Sequence, residues 1–375
     1  MRVAIVHHWF VTRGGGERVA TCLASLFPEA EIFTLVADAR GLPDGLAGRR
    51  LHTSFLQSVP FGRTHHRHMM PLYARAVESL DLRGFDLVIS SDSGPVKGVR
   101  VDSGAVHICY CHSPMRYLYD GYEAYRAQMS GLTRALFTAA AEPLRRWDTE
   151  AAQRVTHFVA NSHYVAGRIR RWYGRDSVVI PPPIDLQRAR TAPTEAHYLC
   201  AGRLVGYKHT ELMVEACQRL GRTLRIAGTG PEEARLRKLA DPRTKLLGEL
   251  PTEALWDEYA RCRALLFTAD EDFGMVPLEA QACGRPVVAY GAGGSLETTR
   301  GVGPGRTAVY FAEQTVESVM GGIGEFEAAE TAGKFEPAAI RAWAEGFRTE
   351  VFLRRMRGFV LSVLPRAAET MASEN

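Results

Sequence analysis

Residues 264–290 read ALLFTADEDFGMVPLEAQACGRPVVAY. A short apolar run, 264–268, gives way to an acidic loop broken by Gly274. A stretch with helical grammar comes next, carrying Pro277 where a first turn tolerates proline and Gly284 where a helix can end. A second apolar run, 286–290, completes a strand–helix–strand crossover, which makes the two strands parallel. The same alternation of short apolar runs and helical patterns continues along the chain, so the fold class is α/β, built from doubly wound parallel sheets.

Upstream of this unit the strand candidates are 198–201, 224–227 and 245–247, and 308–311 lies downstream. The first half offers 3–7, 31–35, 87–90, 106–111, 158–160 and 178–180, with helical stretches around 15–26, 66–80, 132–153 and 163–173. Between the halves, Pro181-Pro182-Pro183 and a polar stretch to about His197 form a stiff linker. At 375 residues the chain exceeds what one core supports, so two Rossmann-like domains are expected, with ligands in the cleft between them. The expected division is 1–188, 189–345 and a terminal segment 346–375, whose amphipathic helix packs back on the first domain.

Hydrophobic residues at 46% and charged residues at 23% suit an ordinary globular protein. The seven cysteines are scattered through apolar runs and read as reduced core residues of a cytoplasmic protein. Neither a signal peptide nor a membrane-length apolar run is present in the sequence as read. Residues 1–190 carry 24 Lys and Arg against 17 Asp and Glu, a balance of +7, whereas the remainder stands at −3. The basic half suits a peripheral contact with an anionic membrane surface through Arg145, Arg146, Arg168, Arg170 and Arg171, or is simply a solvated face. Nucleic acid is not expected as a partner, because no recognition motif accompanies the charge.

Several strand ends carry chemistry. Glu271 precedes the helix of the opening stretch and Glu279 is read as lying in its first turn. Both carboxylates can accept hydrogen bonds from sugar hydroxyls, while the amides of Met275 and Val276 suit an anion. Helix capping by Glu279 with a solvated Glu271 is the plainer reading. Gly202-Arg203-Leu204-Val205-Gly206-Tyr207-Lys208 sets two cations at another strand end, suited to a diphosphate leaving group or to a bare surface. Gly228 and the 291–294 glycines permit close backbone approach, to a ligand or to the protein itself. Gly14-Gly15-Gly16 follows the first strand without a full dinucleotide fingerprint, which disfavours a dehydrogenase. His112 caps the strand 106–111, either as a cleft residue or as an ordered structural histidine. His65-His66-Arg67-His68 reads as exposed surface, since adjacent helical residues diverge.

Together these stretches resemble the retaining family 4 glycosyltransferases, whose fold is GT-B: EDFGMVPLEAQACGRPVVA from 271, GRLVGYK from 202 and GAGGSLET from 291 appear in that family's usual order. CHSPMRYLYD from 111, RRWDTEAAQRV from 145 and ANSHYVAGRI from 160 resemble its GDP-mannose-dependent mannosyltransferase branch, typified by enzymes of bacterial O-antigen and exopolysaccharide synthesis. The resemblance implies a first domain for the acceptor and a second for the nucleotide sugar. By the same token Arg203 and Lys208 bind the donor diphosphate, Glu279 the ribose, and Glu271 with Phe273, Gly274, Met275 and Val276 the transferred sugar. His112 falls at the reacting centre, Gly14 and Gly15 in the loop closing over phosphate, and Gly228 and Leu250 near the base.

The resemblance thus implies a hexosyltransferase taking mannose from GDP-mannose, a nucleotide sugar used as substrate, to a saccharide or lipid-diphosphate-linked acceptor in cell-surface polysaccharide synthesis. Catalysis would fall to Glu271, His112, Arg203 and Lys208, with retention of anomeric configuration and no cofactor. Asp270-Glu271-Asp272 contains an Asp-x-Asp string, but its family 4 position implies metal independence. A UDP-sugar donor such as UDP-glucose or UDP-GlcNAc is the alternative, ahead of a nucleotide-sugar epimerase or a non-catalytic sugar-nucleotide-binding subunit.

Overall fold

The computed structural model describes residues 1–12 and 14–372, apart from the side chains of His66, Arg67 and His68. The chain forms two compact units, one made of residues 1–183 and 349–375 and the other of residues 184–348.

In the first unit, seven parallel strands run as β1 (Val3–Phe10), β2 (Glu31–Ala37), β3 (Leu51–Thr53), β4 (Leu87–Asp92), β5 (Val106–Cys111), β6 (His157–Ala160) and β7 (Ser177–Val179). Their order across the sheet is β3-β2-β1-β4-β5-β6-β7. Side chains alternate between two cores, because successive strand residues point to opposite faces. Thus Ala4, Val6 and Val88 join one cluster with Phe33 and Leu144, while Val3, Ile5, Leu87 and Ile89 join another with Leu23 and Phe352. Burial on both faces is what near-continuous apolar strands require.

The second unit repeats the plan with six parallel strands: β8 (Tyr198–Ala201), β9 (Leu224–Ala227), β10 (Thr244–Gly248), β11 (Ala264–Phe267), β12 (Val287–Tyr290) and β13 (Ala308–Phe311). Their order is β10-β9-β8-β11-β12-β13. Leu265 and Phe267 face one core, Ala264 and Leu266 the other.

Both sheets are doubly wound, as expected. In each, the order reverses once, between β1 and β4 in the first and between β8 and β11 in the second. Loops leaving the carboxyl ends of those strands diverge to opposite faces and leave a crevice between them.

Differences from expectation have local causes. Strand β3 was not expected: it is three residues long and only Leu51 is apolar. The helical stretch expected over 66–80 is broken into a 3₁₀ turn, His66–Leu72, and a short helix, Tyr73–Glu78. Met69 departs from helical angles just before Pro71, which has no N–H to donate. The histidine cluster expected at 65–68 lies outside the described side chains except for His65. The units divide at Pro183 and Ile184 rather than at 188, and at Arg348 rather than 345. Ile184 already belongs to the second core, and its N–H donates to the Phe347 carbonyl at 2.9 Å. Beyond it the helix Thr349–Val363 buries Phe352, Met356 and Val360 in the first unit's core. Each such side chain contributes about 1.5–3 kcal/mol of burial. The Ala372 N–H then donates to the Leu26 carbonyl at 2.9 Å.

Candidate functional site

At the switch point of the second sheet, β8 ends in Gly202 and a loop closed by the 3₁₀ turn Gly206–Lys208. The loop after β11 comes back toward it, and Lys208 Nζ meets Glu271 Oε1 at 2.8 Å, with side chains 15% and 20% exposed. Burial alone would lower the Lys208 pKa, but the charge of Glu271 and its hydrogen bond more than reverse this, so the ammonium is held above its ordinary range. The Thr268 hydroxyl donates to the carbonyl of Lys208, and the Thr268 carbonyl accepts from Gln314 Nε2 at 2.8 Å, so the lysine's backbone is tied to the end of β11. Arg203 is exposed on the same loop.

The acidic loop owes its shape to glycine. Gly274 is left-handed, with φ 89°, and caps the helix Met275–Ala282, which turns the amides of Met275 and Val276 into the helix's free first turn. A Cβ on Gly294 would stand 2.3 Å from Phe273 Cα, and one on Gly293 2.6 Å from the Glu271 carbonyl. The Gly294 N–H donates to that carbonyl at 2.8 Å. Gly293 and Gly294 therefore serve packing of the Glu271 loop. Phe273 is buried beneath it, 4% exposed.

Glu279 lies in the second helical turn, not the first as expected, because the helix begins only at Met275. Capping at the helix start is thereby excluded as its role. It accepts from the Tyr259 hydroxyl at 2.8 Å, whose pKa is driven far above its ordinary range by burial and then by the carboxylate, so that it remains a donor. Leu250 is half-buried at the start of the segment leading into the helix Thr252–Arg261. Gly228, with φ 131°, is required by backbone, since its Cβ would meet the Gly202 carbonyl oxygen at 2.0 Å.

In the first unit, His112 follows β5 and its Nε2 lies 2.8 Å from the Ser91 hydroxyl at the end of β4. Its N–H donates to the Asp92 carbonyl at 2.7 Å, and its carbonyl accepts from Asn161 Nδ2 at 3.0 Å. His7 within β1 completes the group, with Nδ1 at 3.1 Å from the Ser91 hydroxyl. The helix Gly15–Ser25 starts above it: Gly14 is its cap, and a Cβ on Gly16 would stand 3.3 Å from the His7 ring.

His7, Ser91 and Tyr259 were not among the expected residues. The one signal for His7 was a polar pair, His7-His8, inside an otherwise apolar strand; Ser91 and Tyr259 carried none. Of the arginines read as one basic face, Arg146, Arg170 and Arg171 are exposed, whereas Arg145 and Arg168 are engaged internally. Arg168 is 6% exposed and holds Asp120 and Ser113, and Arg145 grips the Leu118 carbonyl. Among the described residues no helix is long and apolar enough to cross a membrane.

Two family descriptions match the chain in succession, Glycosyltransferase Family 4 over residues 13–188 and Glycosyl transferases group 1 over residues 184–338. Together the two glycosyltransferase descriptions span residues 13–338 of the chain. The chain is 30% identical over 243 residues to a GDP-mannose-dependent alpha-(1-6)-phosphatidylinositol monomannoside mannosyltransferase of Mycolicibacterium smegmatis, a match covering 56% of the chain and 62% of the relative. It is 32% identical over 200 residues to a D-inositol 3-phosphate glycosyltransferase of Pseudarthrobacter chlorophenolicus, covering 45% of the chain and 47% of the relative. These matches thus span about half to three-fifths of the curated relatives. Among solved structures, Anabaena HepE in complex with UDP-glucose superposes with a TM-score of 0.72 at 17% identity, over 96% of this chain and 100% of that one. Sucrose-phosphate synthase from Thermosynechococcus elongatus gives 0.71 at 16% identity, over 98% and 100%. The fold is GT-B.

Proposed function

We propose that the protein transfers a hexose, mannose from GDP-mannose, to a saccharide or lipid-linked acceptor hydroxyl with retention of anomeric configuration. The observation that carries the reading is the Lys208–Glu271 pair at the switch point of the second sheet, beside the first-turn amides of Met275 and Val276. Departure of a nucleoside diphosphate places negative charge on its phosphate oxygens, and a lysine, an arginine and a helix N-terminus stabilise that charge without a metal ion. In this reading Lys208 and Arg203 hold the diphosphate. Glu271, released from Lys208 by the incoming phosphate, accepts hydroxyls of the hexose, and Glu279, oriented by Tyr259, accepts those of the ribose. Phe273 and Gly274 shape the loop about the sugar, Gly228 and Leu250 border the base, and Gly14 and Gly15 close over phosphate. His112 serves the reacting centre.

The Mycolicibacterium relative's description supports mannose and guanosine. A UDP-sugar donor is the second reading, supported by the HepE complex with UDP-glucose at the level of shared fold. The acceptor assignment, polysaccharide synthesis at the inner face of the cytoplasmic membrane, rests on the family resemblance and on the basic first half. A panel of nucleotide sugars scored by thermal shift and slow donor hydrolysis, with and without EDTA, tests the donor and the metal independence together. A response to UDP-sugars and none to GDP-mannose would overturn the donor assignment. Loss of hydrolysis in EDTA, restored by a divalent cation, would overturn the metal-free mechanism. Glu271→Ala abolishes transfer in a folded chain if the site is correctly placed; full activity removes Glu271 from it.

A further inference from the structure

His7 within β1, Ser91 near the end of β4 and His112 just after β5 form a hydrogen-bonded chain whose direction can be worked out. His7 Nδ1 lies 3.1 Å from both the carbonyl oxygen and the hydroxyl of Ser91, and that hydroxyl lies 2.8 Å from His112 Nε2. His7 and Ser91 are wholly buried. A carbonyl can only accept, so Nδ1 of His7 carries a proton. Burial, with His8 and His112 adding to it, holds the His7 pKa well below its ordinary value, so the ring is neutral and its Nε2 is bare. Among the described residues that nitrogen is buried without a hydrogen-bond partner, the arrangement a bare lone pair adopts where no donor reaches it.

With an N–H directed at it from His7, the Ser91 oxygen accepts on that side and sends its own proton to its other neighbour, His112 Nε2. A nitrogen that accepts is unprotonated. We infer that Ser91, oriented by His7, is a positioning residue that sets His112 in the Nδ1–H tautomer. This rests on the role proposed above for His112. Its consequence is chemical: a neutral His112 so held presents a proton rather than a lone pair at Nδ1, and so acts there as a hydrogen-bond donor to oxygen and not as a base.

The test uses the full chain labelled with ¹⁵N-histidine. Long-range ¹H–¹⁵N correlation reads the tautomer of each imidazole without substrate, and the signals lost in His112→Gln identify His112. The expected pattern is Nδ1 protonated and Nε2 bare, shifting in Ser91→Ala toward a mixture of tautomers and returning in Ser91→Thr, which keeps the hydroxyl. An Nε2–H form in the unaltered chain, or an unchanged pattern in Ser91→Ala, overturns the inference. In the transfer assay Ser91→Ala lowers kcat about 10- to 100-fold with little change in the donor KM, and Ser91→Thr recovers most of it. A chain that transfers no sugar from any donor would overturn the proposed activity alone, since the tautomer is read without it.

Discussion

The Lys208 ammonium and the Glu271 carboxylate meet at 2.8 Å where the second sheet reverses its strand order. Neither position alone explains the contact. Lys208 is delivered by the loop after β8 and Glu271 by the loop after β11, strands that are neighbours in the sheet and sixty residues apart in the chain. On the proposed function, a diphosphate would take the ground this pair occupies.

Breaking the pair leaves a mostly buried ammonium without its counter-charge. Glu271→Gln is expected to lower stability by about 1.5–3 kcal/mol, the range for a hydrogen bond to a charged group. Because the Lys208 pKa is raised by folding, its contribution is fully present below the unfolded lysine value of about 10.4 and fades as pH rises past it. Urea melts of the two proteins should therefore differ by a constant amount between neutral pH and pH ~9 and converge only at more alkaline pH. A difference that persisted undiminished at strongly alkaline pH would contradict the assignment.

Nucleoside diphosphate binding should depend on the same lysine. A ligand at 100 times its Kd stabilises the native state by about 2.7 kcal/mol, so GDP is expected to raise Tm measurably in the unaltered chain and far less in Lys208→Ala. Equal shifts in both would place the diphosphate elsewhere.

Gly294 offers a steric test. Its Cβ would stand 2.3 Å from Phe273 Cα, so Gly294→Ala should push the acidic loop away and cost about 1–3 kcal/mol, together with most of the transferase activity. Gly321 lies within the helix Val316–Thr331 with open space around its Cβ position. Gly321→Ala should stabilise by up to about 1 kcal/mol and leave turnover unchanged. Chemical denaturation and initial rates compare the two directly.

A wholly buried ion cluster supports the first unit. Lys97 Nζ lies 3.2 Å from Asp92 and 2.5 Å from Asp148, and Asp148 also accepts from the hydroxyls of Tyr119 and Tyr173. Lys97→Met removes the cation that two buried carboxylates share, and a loss of about 3–5 kcal/mol is expected in urea unfolding. A change below about 1 kcal/mol would mean that water enters and screens the cluster.

The parts of the site that were legible in the sequence are those whose logic is local. Glycine, proline and an acidic loop between two apolar runs announce a crossover with its ligand loop, and the 264–290 stretch folds as its grammar requires. Contacts made by strand order were invisible. Ser91 reaches His7 and His112 because β4 lies between β1 and β5, an arrangement that no spacing along the chain encodes. Tyr259 reaches Glu279 from a neighbouring helix for the same reason. At Gly228 the neighbour that the missing side chain admits is the protein's own backbone at Gly202. Arg168 looked like surface charge and is committed to Asp120 and Ser113.

The segment from residue 349 onward fills a gap in the core of a unit whose other residues were all made before residue 184. Until those residues leave the ribosome, the cluster that holds Val19, Leu23 and Ala24 of the helix Gly15–Ser25 lacks Phe352, Met356 and Val360. The second unit has no such debt to a distant segment and can complete its fold first, although it is synthesised second. Domains ordinarily mature in the order of their synthesis; here a segment made after the second unit decides when the first is finished, and truncation before residue 349 should leave the first unit exposed to proteolysis while sparing the second.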